Sequence, residues 1–86
     1  METAFGVWLP QLTIHRCRRM EDAAQIVQAV RDRHCVVVQV DNLEPQEAQR
    51  ILDFAAGGVE ALDGRVERVG ESTFLFAPAG VEVSRG

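Results

Sequence analysis

Few side chains in this sequence could act as nucleophile, base or soft metal ligand: His15 and His34, Ser72 and Ser84, Cys17 and Cys35. A serine nucleophile needs a sharp glycine-flanked turn that lifts its hydroxyl out of the backbone, and neither serine has one. A cysteine nucleophile needs a neighbouring cation that stabilises the thiolate. Arg33 and His34 could supply that charge to Cys35, yet Cys35 opens an apolar run, where a thiol packs as a small hydrophobe. Cys17 and Cys35 fit no metal-ligand spacing and make a poor disulfide framework, so a reduced, cytosolic setting is expected. These residues predict no catalysis, no metal and no cofactor.

Glycine and charge exclude more. Gly57 and Gly58 follow a helical pattern rather than precede one, so with Gly64 and Gly70 they read as a helix stop and turns, not as a phosphate-binding loop. The net charge is -4 and all nine basic residues are Arg, which argues against general nucleic-acid binding, since that needs a basic face. The one basic cluster is His15, Arg16, Arg18 and Arg19, a solvated loop or a contact for anionic lipid or an acidic partner. Phe5, Trp8 and Leu9 upstream would add apolar anchors, but with Gly6 and Pro10 among them they make a weak membrane helix. Nothing resembles a secretory signal or the roughly 20 apolar residues of a membrane span.

The elements that must position these groups follow from periodicity. In a chain of 86 residues and 9.5 kDa they belong to one small domain. Residues 1–11 read as a tail, 12–84 as the core and 85–86 as a second short tail. Leu12 and Ile14 alternate with Gln11, Thr13 and His15, the pattern of a half-buried strand. Ala23, Ile26, Val27 and Val30 mark one face of a first helix, with Glu21 and Asp22 at the positive end of its dipole. The β-branched run from Cys35 to Val40 is a central strand. Pro45 starts a second helix, whose face is Ala48, Ile51, Leu52 and Ala55 and whose stop is Gly57 and Gly58. Residues 59–62 and 65–69 then read as a hairpin about Asp63 and Gly64, residues 72–76 as the next strand, and 81–83 as a short edge segment. The predicted order is β-α-β-α-β-β-β: an α+β two-layer sandwich with two helices on one face of a roughly five-stranded mixed sheet. Phe74 and Phe76 oppose Thr73 and Leu75, and Val37 opposes Val36 and Val38, so both sheet faces carry apolar groups while helices cover one. A second subunit or a ligand is expected to cover the other.

The run QRILDFAAG at residues 49–57, then ALDG at 61–64 and RVGESTFLFAP at 68–78, resembles the core of the bacterial SepF cell-division family, and with the strand at 35–40 and the ending at 81–83 the likeness spans residues 12–84. The resemblance implies a non-enzymatic adaptor that binds the C-terminal tail peptide of FtsZ, the tubulin-like division GTPase, and supports Z-ring assembly and septum formation at midcell. By motif position it implies tail-binding roles for Ala48, Arg68, Phe74 and Phe76, and self-assembly of dimers into polymers through Gly57 or Gly58. The family's amphipathic membrane helix and polar linker have no room here, so the expectation is either a trimmed core or a short family member whose membrane association is weak, through Trp8, Arg16, Arg18 and Arg19, or supplied by another protein. The alternative is a small-molecule-sensing regulatory domain of ferredoxin-like type, although the first strand-helix junction lacks the glycine such domains use; thermal shifts with amino acids or nucleotides separate the two.

Overall fold

The computed structural model describes residues 11–84; the readings placed on Trp8, on the rest of the N-terminal tail and on residues 85–86 lie outside them. The elements are β1 (Gln11–Arg16), α1 (Glu21–Arg31), β2 (His34–Gln39), α2 (Pro45–Ala61), β3 (Arg65–Arg68) and β4 (Thr73–Ala77). They form one mixed four-stranded sheet in the order β1-β2-β4-β3, with β1 and β2 parallel and the other pairs antiparallel. Both helices pack on one face, giving the expected two-layer α+β sandwich with one strand fewer.

The missing strand was absorbed by a helix. Residues 59–62 are not a strand, and α2 runs through Gly57 and Gly58 to Ala61. Ala48, Ile51, Ala55 and Val59 are all buried, so the apolar face continues four residues past Ala55, and burying Val59 offsets the roughly 1 kcal/mol that each of the two mid-helix glycines costs relative to alanine. Gly58 also has a packing task, because a Cβ there would stand 2.6 Å from Cγ2 of Val27 on α1. It is the point of close approach between the helices, whereas a Cβ on Gly57 would meet nothing within 4 Å.

The Asp63-Gly64 pair, expected to turn a hairpin, instead closes α2. The Gly64 N–H donates to the Val59 carbonyl at 2.9 Å and the Asp63 N–H to that of Glu60 at 3.0 Å, the paired bonds of a Schellman cap. Asp63 takes the left-handed conformation the cap needs, at φ 61°. Residues 81–84 have no regular structure, so the suggested edge strand at 81–83 is absent. Near them Arg33, itself left-handed after α1 at φ 71°, donates from Nη1 to the Ala79 carbonyl at 2.7 Å.

The core lies between the helices and the inner sheet face. Val36 pairs with Phe76 and Val38 with Phe74, and Val36, Val38 and Phe76 are fully or almost fully buried against Ile26, Val30, Ile51 and Val59. The opposite face bears Leu12 and Ile14, 64% and 68% exposed, beside half-buried Cys35, Val37 and Leu75, which the register sets in adjacent rows. The apolar face expected to lack cover is therefore present. Among the described residues no helix is long and apolar enough to cross a membrane.

Candidate functional site

Arg68 and Phe74 meet at the β3 edge of the sheet, and Ala48 belongs to the core cluster on which Phe74 packs. Arg68 pairs directly with Phe74 across the β3–β4 ladder, and Phe74 pairs on its other side with Val38. All three strands turn these side chains toward the helix layer. Phe74 is half-buried and packs on the cluster that contains Ala48 and Ile51 of α2. The Arg68 guanidinium carbon lies 5.8 Å from the centroid of the Phe74 ring, within reach of a cation-π attraction. The same guanidinium closes the β3–β4 turn, donating from Nε to the Gly70 carbonyl at 3.0 Å and from Nη2 to that of Glu71 at 2.7 Å. The exposed arginine is thus held against an aromatic face rather than waving in solvent. A preset cation beside a partly open aromatic ring is an arrangement suited to an apolar side chain next to a carboxylate.

Phe76 and Gly58 do not belong to an accessible site. Phe76 has no exposed surface, so it supports the site from within the core and its ring does not face a ligand. Gly58 is occupied by Val27, which leaves Gly57 as the open member of the glycine pair. Alternation along β4 already put Phe74 and Phe76 on one face; only the register shows that Phe76 is central, between Val36 and Val66, and Phe74 peripheral.

The basic cluster sits at the β1–α1 junction with Arg16, Arg18 and Arg19 exposed. Arg16 Nε approaches the Asp41 carboxylate at 3.8 Å, a surface pair that adds little. Beneath the arginines is a grouping the sequence did not suggest. Asp22, 9% exposed, accepts the Arg18 and Arg19 backbone N–H groups on Oδ2 at 2.6 and 3.1 Å, while its Oδ1 lies 3.3 Å from Nε2 of His15. Cys17 is fully buried alongside. Burial alone would raise the Asp22 carboxyl, but the two amides and His15 outweigh it and hold it below the usual carboxylate range.

A depressed folded-state value means that Asp22 stabilises the fold above its unfolded pKa and loses that contribution as pH falls through the folded one. Asp22→Asn is expected to lower stability by about 1–2 kcal/mol near neutrality, the scale of a lost helix-terminal cap. The deficit should shrink when denaturant unfolding is repeated below the carboxylate range. A deficit that stayed constant down to the lowest pH would show that the charge is not the cause.

Neither thiol has the environment of a nucleophile. Burial pushes Cys17 up to about 11, with the Asp22 charge adding to the effect. Burial also raises Cys35, against the opposing influence of Arg33, as suits a thiol that packs as a small hydrophobe.

These features define a small two-layer α+β domain with an apolar sheet face that no helix covers among the described residues, and a cation-capped aromatic at its edge. The chain matches the family "Cell division protein SepF" over residues 13–83. It is 50% identical over 64 residues to the cell division protein SepF of Gloeothece citriformis, covering 74% of this chain and 33% of that one. A SepF from a Cyanothece species is 42% identical over 82 residues, 92% of this chain and 39% of the relative. The chain therefore spans about a third of the length of the curated relatives it matches. The solved SepF-like protein from Archaeoglobus fulgidus superposes with a TM-score of 0.79 at 18% identity, covering 87% of this chain and 93% of that one, a likeness of fold. The chain belongs to the SepF family of cell-division proteins.

Proposed function

We propose that this domain is a non-enzymatic adaptor that acts at the cytoplasmic division site by binding the C-terminal tail peptide of FtsZ, self-associating as it does so to support Z-ring assembly and septation. The observation that carries the binding half is the Arg68-Phe74 pair at the edge of the sheet. Phe74 offers a half-buried apolar anchor, Arg68 offers a held cation to a peptide carboxylate, and Ala48 is a small residue of the cluster on which Phe74 packs. Self-association is supported by the bare rows of Leu12, Ile14, Val37 and Leu75, a face that a second copy could cover. Gly57, open on the outer side of α2 near 55%-exposed Phe54, fits a second contact between dimers.

Titration of a fluorescent FtsZ tail peptide, read by anisotropy, tests the binding. Saturable binding is expected for the parent chain. Phe74→Ser should reduce affinity at least tenfold, while Arg68→Ala should weaken it and make the remainder less sensitive to salt. A folded Phe74→Ser protein that bound the peptide as tightly as the parent would place the site elsewhere.

A further inference from the structure

His15 pairs with Val38 on the helix-facing side of the sheet, and Cys17, one residue past the end of β1, is fully buried in the core on that side. Asp22 comes to meet them from the first turn of α1. One donor atom from each, a ring nitrogen, the sulfur and a carboxylate oxygen, lies within 4.8 Å of the other two. The separation of 3.3 Å between His15 Nε2 and Asp22 Oδ1 is long for a charge-assisted hydrogen bond, which usually measures about 2.7–2.9 Å. It matches the spacing of about 3.3 Å between two ligands each about 2.0 Å from a tetrahedral zinc ion.

We propose that His15, Cys17 and Asp22 form a three-ligand site for Zn(II) at the joint between β1 and α1. One sulfur, one nitrogen and one oxygen donor suit zinc, which accepts all three and has no directional preference of its own beyond tetrahedral packing. Asp22 can bind through Oδ1 because Oδ2 already serves the Arg18 and Arg19 amides, and those amides fix the carboxylate as an outer shell. The His15 side chain, 23% exposed, is the side from which an ion enters and where water completes the fourth position. On binding, the Cys17 S–H bond breaks, a sulfur-zinc bond forms and the proton passes to solvent. The charge of the dication offsets the burial and the Asp22 charge that disfavour a free thiolate there. The Arg16, Arg18 and Arg19 side chains oppose a cation, but they are exposed and solvent screens them. Bound zinc would clamp the loop that presents those arginines.

The test is titration of the metal-free full chain with Co(II), followed by competition with Zn(II). The expected result is a thiolate-to-cobalt charge-transfer band with the visible absorption of a tetrahedral site, saturating at one ion per chain and removed by zinc. Cys35→Ala should leave the band intact. His15→Gln, which keeps a hydrogen-bond donor for Asp22, should weaken cobalt and zinc binding by at least about tenfold while the circular dichroism stays that of the parent. Absence of the band in folded parent protein would overturn the site. So would a band that survives in folded Cys17→Ser or disappears in Cys35→Ala.

Discussion

Ile14→Glu is expected to turn a dimer into a folded monomer. In the single chain Ile14 is 68% exposed, so the new carboxylate contacts little and the fold has no reason to fail. In a face-to-face pair the same carboxylate would be buried without a partner beside Leu12 and Val37, and an unpaired buried charge is among the most destabilising features an interface can contain. Light scattering on the parent should give twice the 9.5 kDa chain mass at micromolar concentration, and the variant should give the chain mass. A variant that remained dimeric would move the interface to the outer side of α2, around Phe54 and Gly57. A monomeric parent would remove self-association from the proposed function altogether.

Phe76→Ala should be the most damaging single truncation in the sheet. The ring has no solvent exposure and stands in register between Val36 and Val66, under the helices. Emptying such a position removes about 3–5 kcal/mol. A small domain has a total stability of about 5–15 kcal/mol, and one this size is expected toward the lower end. Thermal unfolding monitored by circular dichroism should therefore shift down by roughly 15 °C or more, since each kcal/mol is worth about 4–8 °C in a domain of this size. Phe74→Ser, at the half-buried edge, should cost less stability and more peptide affinity. If Phe76→Ala melted with the parent, the assignment of Phe76 to the core rather than to the binding surface would be wrong.

That division between two phenylalanines two residues apart shows where sequence and structure part. Strand alternation gave both rings the same face, and the resemblance gave both the same role. What separates them is pairing: Phe76 is flanked by valines on both neighbouring strands, while Phe74 has Val38 on one side and Arg68 on the other. Register depends on how β2, β3 and β4 are joined, and short-range pattern does not contain it.

The other departures have a common cause. β1, α1, β2 and the start of α2 were legible because periodicity and punctuation agreed there, with Glu21 and Asp22 opening one helix and Pro45 the other. At residues 57–64 they disagreed. Glycines said stop, while Ala48, Ile51, Ala55 and Val59 kept helical spacing, and burial decided for the spacing. Asp63 and Gly64 carry the same local conformational message in a hairpin and in a helix cap; what precedes them settles which is built. The His15, Cys17 and Asp22 grouping was hidden for a different reason. It is made where the first turn of α1 comes back against the end of β1, and no spacing rule for cysteines describes it.

The apolar depression on the uncovered sheet face is bounded by Gln11 and Leu12 at one end of the described core and by residues 81–84 at the other. The first and last of the described residues therefore border one depression. A pull applied through segments attached at these two points would travel a short route across β1, β2 and the final segment, and would largely bypass α2 and the Arg68-Phe74 edge. Among the described residues β1 is an edge strand bonded only to β2, so it is the element that such traction would peel first. A domain strung into a longer polypeptide in this way behaves as a bead hung on a line: the thread can carry tension while the far side, where a peptide would be held, stays slack.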